Sequence, residues 1–148
     1  MIKNLTAFLL IAIGIFLIDQ NIKSLFLNGF RWYGDYISLI LVFNKGVAFS
    51  MFAFLQEYLK YVQIAIFVAI SIYLAYEKSV FMRYSLPLGI LYGAGIGNIH
   101  DRFTHSGVVD YIYWHKWFSF AVFNFADVMI DFAVAWIIFI SYRRKNSA

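Results

Sequence analysis

Four stretches of this chain, residues 5–27, 58–76, 84–103 and 120–142, are built mostly from apolar side chains. A helix needs about 20 such residues to cross ~30 Å of hydrocarbon, so each stretch is of spanning length. With 63% apolar residues, 14% charged residues and a mean hydropathy of +0.74, the chain lies outside the soluble range. The expected fold is therefore one integral membrane domain, residues 1–148, all-α with four transmembrane helices. The first stretch follows Lys3 and runs past Asp19 and Lys23 with no small-residue cleavage pattern, which reads as a retained span and not a signal peptide.

Lys and Arg gather at cytoplasmic ends, which puts Lys3, a short Glu77 to Arg83 link and the Arg143-Arg144-Lys145 tail inside. Both termini are then cytoplasmic and the two long connections face outward, although Arg31, Lys45, Lys60, Arg102 and Lys116 fall on the outer side. In the first outer connection, Asp35 to Phe43 is rich in Ile, Leu, Val and Tyr. Asn44-Lys45-Gly46 is a turn signal and Val47 to Phe52 resumes an apolar run, so a small hairpin or sheet is expected at the outer surface. The second connection carries Tyr111, Tyr113, Trp114, Trp117 and Phe118, an aromatic density suited to the headgroup layer.

The chain has no cysteine, which excludes disulfides, a thiol nucleophile and a cysteine metal site. Its net charge of +4 comes partly from the basic tail, which suits anionic membrane lipids; no motif points to nucleic acid as a partner. His100, His105 and His115 are five and ten residues apart, do not share a helix face, and lead to no expected metal site.

On this topology the polar residues converge on the outer leaflet. Asp19 and Lys23 lie near the outer end of the first span, Asn98, Asp101 and Arg102 near that of the third, and Asn124 and Asp127 at the start of the fourth; Asn44 and Asp110 lie in the outer connections. Ionisable groups at membrane depth are costly and face a bundle interior, so the convergence reads as a site. Asp19 and Lys23 have the i, i+4 spacing and order of an ion pair, whose simplest role is structural. Gly89, Gly93 and Gly97 form a smooth strip on which another helix can pack closely.

Asp110 and Asp127 carry a chemical option. Two neighbouring carboxylates cannot both ionise cheaply, so one keeps a proton while the other takes one from water, as aspartyl peptide hydrolysis requires. Spacing alone leaves open a proton or cation path built from the same acids, and a noncatalytic lipid-binding or assembly subunit. A transporter, however, would distribute acids through the membrane's depth, and no comparable cluster lies toward the cytoplasmic side. The Gly-x-Gly-Asp signature of presenilin-type proteases is absent, since Gly95-Ile96-Gly97 is followed by Asn98.

Five motifs resemble those of the lipoprotein signal peptidases, or signal peptidase II, in the family's order and over nearly the full chain. They are Asp19-Gln20-Asn21-Ile22-Lys23, Asn44-Lys45-Gly46-Val47-Ala48-Phe49, Gly97-Asn98-Ile99-His100-Asp101-Arg102, Gly107-Val108-Val109-Asp110-Tyr111 and Phe123-Asn124-Phe125-Ala126-Asp127. The resemblance implies a bacterial inner-membrane aspartyl endopeptidase that cleaves prolipoproteins just before a diacylglyceryl-modified cysteine, with a periplasmic site, a β-rich outer cradle for substrate, and no metal or organic cofactor; a monomer is the expectation for the chain, although the sequence does not determine its oligomeric state. It implies Asp110 and Asp127 as the catalytic dyad, Asn44, Gly46, Asn98, Arg102 and Asn124 as positioning residues, and Asp19 and Lys23 as a supporting pair. The chain departs from the family's pattern at Gly93-Ala94-Gly95, Val128 and Ala133, and in carrying Asp131. Asp131 is expected about one turn deeper than Asp127, influencing its neighbour without entering the chemistry.

Overall fold

The computed structural model describes residues 1–46, 58–105 and 107–146. The elements are α1 (Ile2–Leu27), β1 (Trp32–Tyr33), β2 (Ile37–Asn44), α2 (Leu59–Tyr76), α3 (Lys78–Thr104), β3 (Val108–Trp114) and α4 (Phe125–Lys145). Among the described residues, α1, α2 and α4 are long and apolar enough to cross a membrane. Helix α3, of 27 residues, is more polar and also the most buried; it packs against each of the other three helices.

Exposure runs opposite to that of a soluble protein. On α1, Asp19 and Lys23 are 0% and 1% exposed, whereas Leu10, Ile13 and Leu17 are 67%, 55% and 52% exposed. Apolar side chains displayed over most of a helix, with its charges turned inward, match a hydrocarbon surrounding.

The glycine strip of α3 is where α1 approaches. A Cβ on Gly89 would lie 2.8 Å from the Phe8 carbonyl, one on Gly93 would strike the Ala12 carbonyl and come within 2.9 Å of Ile15 Cβ, and one on Gly97 would lie 2.5 Å from Asp19 Oδ2. Gly93→Val is therefore expected to destabilise the fold by about 1–3 kcal/mol through overpacking, read as a lower Tm in detergent. Gly14→Ala, where an added methyl meets nothing within 4 Å, is the control and should leave Tm unchanged or higher.

The three strands form an antiparallel sheet in the order β1-β2-β3. The hairpin between β1 and β2 closes at Gly34 to Tyr36, with the Gly34 amide donating to the Ile37 carbonyl at 3.1 Å. Asn44-Lys45-Gly46 follows β2, and Val47 to Phe52 lies outside the described residues. The third strand comes from residues 108–114, so Tyr111, Tyr113 and Trp114 belong to the sheet as well as to an aromatic surface. Two expected boundaries move. Only Glu77 separates α2 from α3, because the helix resumes at Lys78. Helix α4 starts at Phe125 and not at residue 120, because Phe123 pairs with Ile112 in extended conformation: its amide donates to the Ile112 carbonyl at 3.1 Å and its own carbonyl accepts from Ile112 at 2.8 Å.

Candidate active site

The site begins with a buried charge cluster. Lys23 Nζ lies 2.7 Å from Asp19 Oδ2 on its own helix and 2.7 Å from Asp101 Oδ2 on α3. Gln20 adds a carboxamide, donating to Asp101 Oδ1 at 3.0 Å and to Asp19 Oδ2 at 3.2 Å, and the Val109 amide donates to Asp101 Oδ2 at 3.1 Å. Two carboxylates around one ammonium, all at most 1% exposed, join α1, α3 and the start of β3. Sequence spacing identified the Asp19 and Lys23 pair; Asp101, on the Asn98-Asp101-Arg102 face of α3, is the second partner of Lys23.

Lys23 has a third acceptor, Asn98 Oδ1, at 2.9 Å. An ammonium only donates, so the Asn98 oxygen must face it, which turns the Asn98 NH2 toward Asp127 Oδ1, also at 2.9 Å. Asp127 is the third residue of α4 and closes a capping box: the Asn124 side chain accepts from the Asp127 amide at 2.9 Å, and Asp127 Oδ2 accepts from the Asn124 amide at 3.1 Å. The NFAD stretch is thus a helix start whose cap residue and carboxylate hold each other.

The Asn124 NH2 reaches Asp110 Oδ1 at 2.7 Å and Asn98 Oδ1 at 3.2 Å. Asp110 stands on β3 opposite Val42 of β2, and strand alternation puts Asn44 on the same face one diagonal step away. Asn44 Nδ2 accordingly donates to Asp110 Oδ2 at 2.9 Å, while its Oδ1 accepts from the Gly46 amide at 2.9 Å in a local turn. A Cβ at Gly107 would lie 2.6 Å from the Asn44 carbonyl, which keeps this pair of strands close only with glycine there. Beneath them Phe26 stacks on Tyr111, with centroids 4.1 Å apart, and the Tyr111 hydroxyl accepts from the Phe125 amide at 3.0 Å.

Both acids line a cavity of about 560 Å³ together with Asn44, Gln63, Asn98 and Arg102. Burial pushes the Asp110 carboxyl up to about 7, the negative charge of Asp127 pushes the same way, and the hydrogen bonds from Asn44 and Asn124 pull partly back. Arg102 donates to Gln63 Oε1 at 3.1 Å and to the Gly46 carbonyl at 2.5 Å, tying α3 to α2 and to the end of the Asn44 turn. Asp131 also lines the cavity, is exposed, and has no hydrogen-bond or ion-pair partner among the described residues. The three histidines stand apart: His100 packs edge-on to Phe16, His105 beside Phe43, and His115 Nε2 is 2.9 Å from Ser38 Oγ.

The family model of signal peptidase (SPase) II matches residues 11–143, a range that contains every residue of this cluster. The chain belongs to the signal peptidase II family. The lipoprotein signal peptidase of Sulfurimonas denitrificans is 54% identical over 97% of this chain and 93% of that protein. That of a Sulfurovum species is 56% identical over 95% of each chain, and that of Wolinella succinogenes 60% identical over 82% of this chain and 83% of the other. Two solved structures of bacterial membrane enzymes share the fold at 21% identity, one with a TM-score of 0.75 over 95% of this chain and 89% of the other, one with 0.68 over 91% of each. With three apolar helices and this fold, the signal peptidase II chain is a multi-pass membrane protein.

All nine residues expected at the site lie in this one network or its rim. Asp101, expected among the converging polar residues but given no role, joins them, as do Gln20 and Gln63, which were not singled out. For Gln63 a signal existed: it is a lone carboxamide on the inward stripe of an otherwise apolar helix.

Proposed function

We propose that the chain is an aspartic endopeptidase that cleaves the signal peptide from diacylglyceryl-modified prolipoproteins just before the lipidated cysteine, with Asp110 and Asp127 as its acid–base pair. Family membership supports the substrate class. The observation that carries the dyad is that two acids from different elements, a strand and a helix start, border one cavity and are each held by carboxamides.

The chemistry follows from a pair that shares one proton. The ionised carboxylate takes a proton from water as its oxygen attacks the scissile carbonyl, and the protonated one donates to the carbonyl oxygen; the roles reverse as the tetrahedral intermediate expels the amine. Asn44, Asn98 and Asn124 hold the carboxylates in register, while Arg102 and Gly46 shape the wall where the peptide lies. Asp19 and Lys23 support the pair from beneath through Asn98. Asp131 stays outside the chemistry. No step calls for a metal or organic cofactor.

The topology is part of the proposal. Helix α3 is a fourth span, its polar residues covered by α1, α2 and α4 instead of lipid. Asn4 donates to the Met82 carbonyl at 2.8 Å and Tyr84 bonds Ser141 at 2.8 Å, which brings the start of α1, the start of α3 and the end of α4 to one level. Lys3, Lys78, Arg83 and the Arg143 to Lys145 tail share that level, so it is the cytoplasmic side, with both termini inside. The active site and the three-stranded cradle then face the periplasm, in the inner membrane, in a monomer surrounded by lipid.

The test is a gel shift of a diacylglyceryl prolipoprotein incubated with the purified protein in detergent, where cleavage is expected and its absence would refute the reading. A pH profile adds a second test. Above about 7 the pair loses its last proton and activity should fall. Asn44→Ala removes a hydrogen bond that favours the charged form of Asp110, so the alkaline limb should move to higher pH by about half a unit to one unit, with reduced turnover. A shift to lower pH would contradict Asp110 as the group that titrates.

A further inference from the structure

Leu59, Gln63, Phe67, Ile70 and Leu74 recur at helical spacing along α2 and form the stripe by which this mostly exposed helix meets α3. Phe67 sits edge-on to Tyr92, 4.8 Å between centroids, in the same seam. Four of the five are hydrocarbon; the fifth, Gln63, carries a carboxamide. A polar group on the inward face of a membrane helix is costly unless it is bonded, so its partners matter.

One end of the carboxamide is accounted for. Gln63 Oε1 accepts from Arg102 Nη1 at 3.1 Å. A guanidinium has donors only, so the oxygen must be the atom that faces it, and the NH2 is left on the side away from Arg102. That NH2 bonds to no described residue, and Gln63 borders the same cavity as Asp110 and Asp127. The cavity wall around it is otherwise supplied by the end of β2, α3, β3, residues 120–123 and the first turns of α4, where Phe120, Val122, Val128 and Ile130 are apolar. Among the described residues this N–H donor has no acceptor, so it is available to a group that enters the space. Resting on the peptidase reading above, what enters is an extended peptide with a lipidated cysteine, which brings carbonyl oxygens of two kinds, peptide and ester.

We infer that Gln63 is a substrate-binding residue: Arg102 pins its oxygen, and its side-chain N–H donates to a carbonyl oxygen of the bound prolipoprotein. The arrangement fixes the donor's direction before substrate arrives, because the Arg102 guanidinium is itself held by the Gly46 carbonyl. Gln63 does not touch either acid, so its contribution is to binding and not to proton transfer.

Two variants separate the donor from the anchor. Gln63→Met keeps the side chain's length and removes both functions, whereas Gln63→Glu keeps an oxygen for Arg102 and removes the NH2. Steady-state cleavage of a diacylglyceryl prolipoprotein by the full-length protein should show KM raised about fivefold to tenfold in both, the effect of one lost neutral hydrogen bond. The kcat should stay within about twofold, as expected for uniform binding. Wild-type KM in Gln63→Glu would reduce Gln63 to an anchor for Arg102 and overturn the inference, and so would wild-type KM in Gln63→Met. Should Gln63→Met fail to fold, Gln63→Glu decides alone. A substrate whose lipid is ether-linked distinguishes the two acceptors: if the ester carbonyl is the partner, the KM difference between wild type and variant disappears with it, and if the peptide carbonyl is, the difference persists. Failure of the peptidase reading would look different, since the wild type itself would not cleave.

Discussion

Asp110→Asn and Asp127→Asn are each expected to lower prolipoprotein cleavage by about 10²–10⁴-fold or more, the range in which general acid–base groups contribute. The substitutions are nearly isosteric but chemically decisive, because an amide can neither take the proton from water nor return it to the leaving amine. The geometry also says how each variant keeps its fold. In Asp127→Asn one side-chain oxygen remains to accept from the Asn124 amide, so the cap of α4 is retained, while the bond from Asn98 Nδ2 meets a second NH2 and is lost. In Asp110→Asn the oxygen can accept from only one of Asn44 and Asn124. Both proteins should therefore purify folded, with Tm lowered modestly, and gel shift should show no product over the time in which wild type finishes. Near-normal turnover by either would remove that acid from the chemistry.

The second large effect is on stability. Lys23 is the shared partner of Asp19 and Asp101, at 2.7 Å from each, and all three are withdrawn from solvent. Lys23→Met leaves two buried carboxylates with no cation between them, and removing one partner of a buried pair costs about 3–5 kcal/mol. The variant should give little folded protein, or a sharply lower Tm in detergent. Adding Asp19→Asn and Asp101→Asn to Lys23→Met removes the uncompensated charge and should recover most of the stability, since a buried ion cluster replaced as a whole is close to neutral. Recovery of folding should not bring full recovery of turnover. Without the ammonium on its oxygen, Asn98 is free to rotate its amide, and the donor that meets Asp127 is no longer fixed. A Lys23→Met protein as stable as wild type would mean that the cluster holds no net charge to compensate.

How much of this was legible in the chain follows from the range of each interaction. Helical periodicity is local, so the lengths of α1 and α2, the i, i+4 pairing of Asp19 with Lys23 and the glycine strip of α3 could be read directly. Where strand pairing competed with a continuing apolar run, the reading went astray: residues 120–123 are as apolar as a span, yet Phe123 is held by backbone bonds to β3 and α4 waits for its cap at Asn124. Likewise the expected Glu77 to Arg83 link shrinks to Glu77 alone, because nothing from Lys78 to Arg83 stops a helix and α3 runs through those residues.

By itself, then, the sequence determined a membrane protein whose costly polar residues gather toward one end, because hydrocarbon tolerates them nowhere else, and its motifs were specific enough to indicate the family. Only the tertiary structure decided which of those residues meet. The 16 positions between Asp110 and Asp127 carry no periodicity; the approach of the two acids depends on the β2 and β3 register that sets Asp110 beside Asn44, and on the cap that turns Asp127 toward Asn98. Lys23 choosing Asp101 as well as Asp19, Gln63 reaching Arg102, and Asp131 left exposed and unpaired among the described residues follow from helix packing in the same way. Such contacts depend on the relative rotation and depth of whole elements, which no local spacing along the chain encodes.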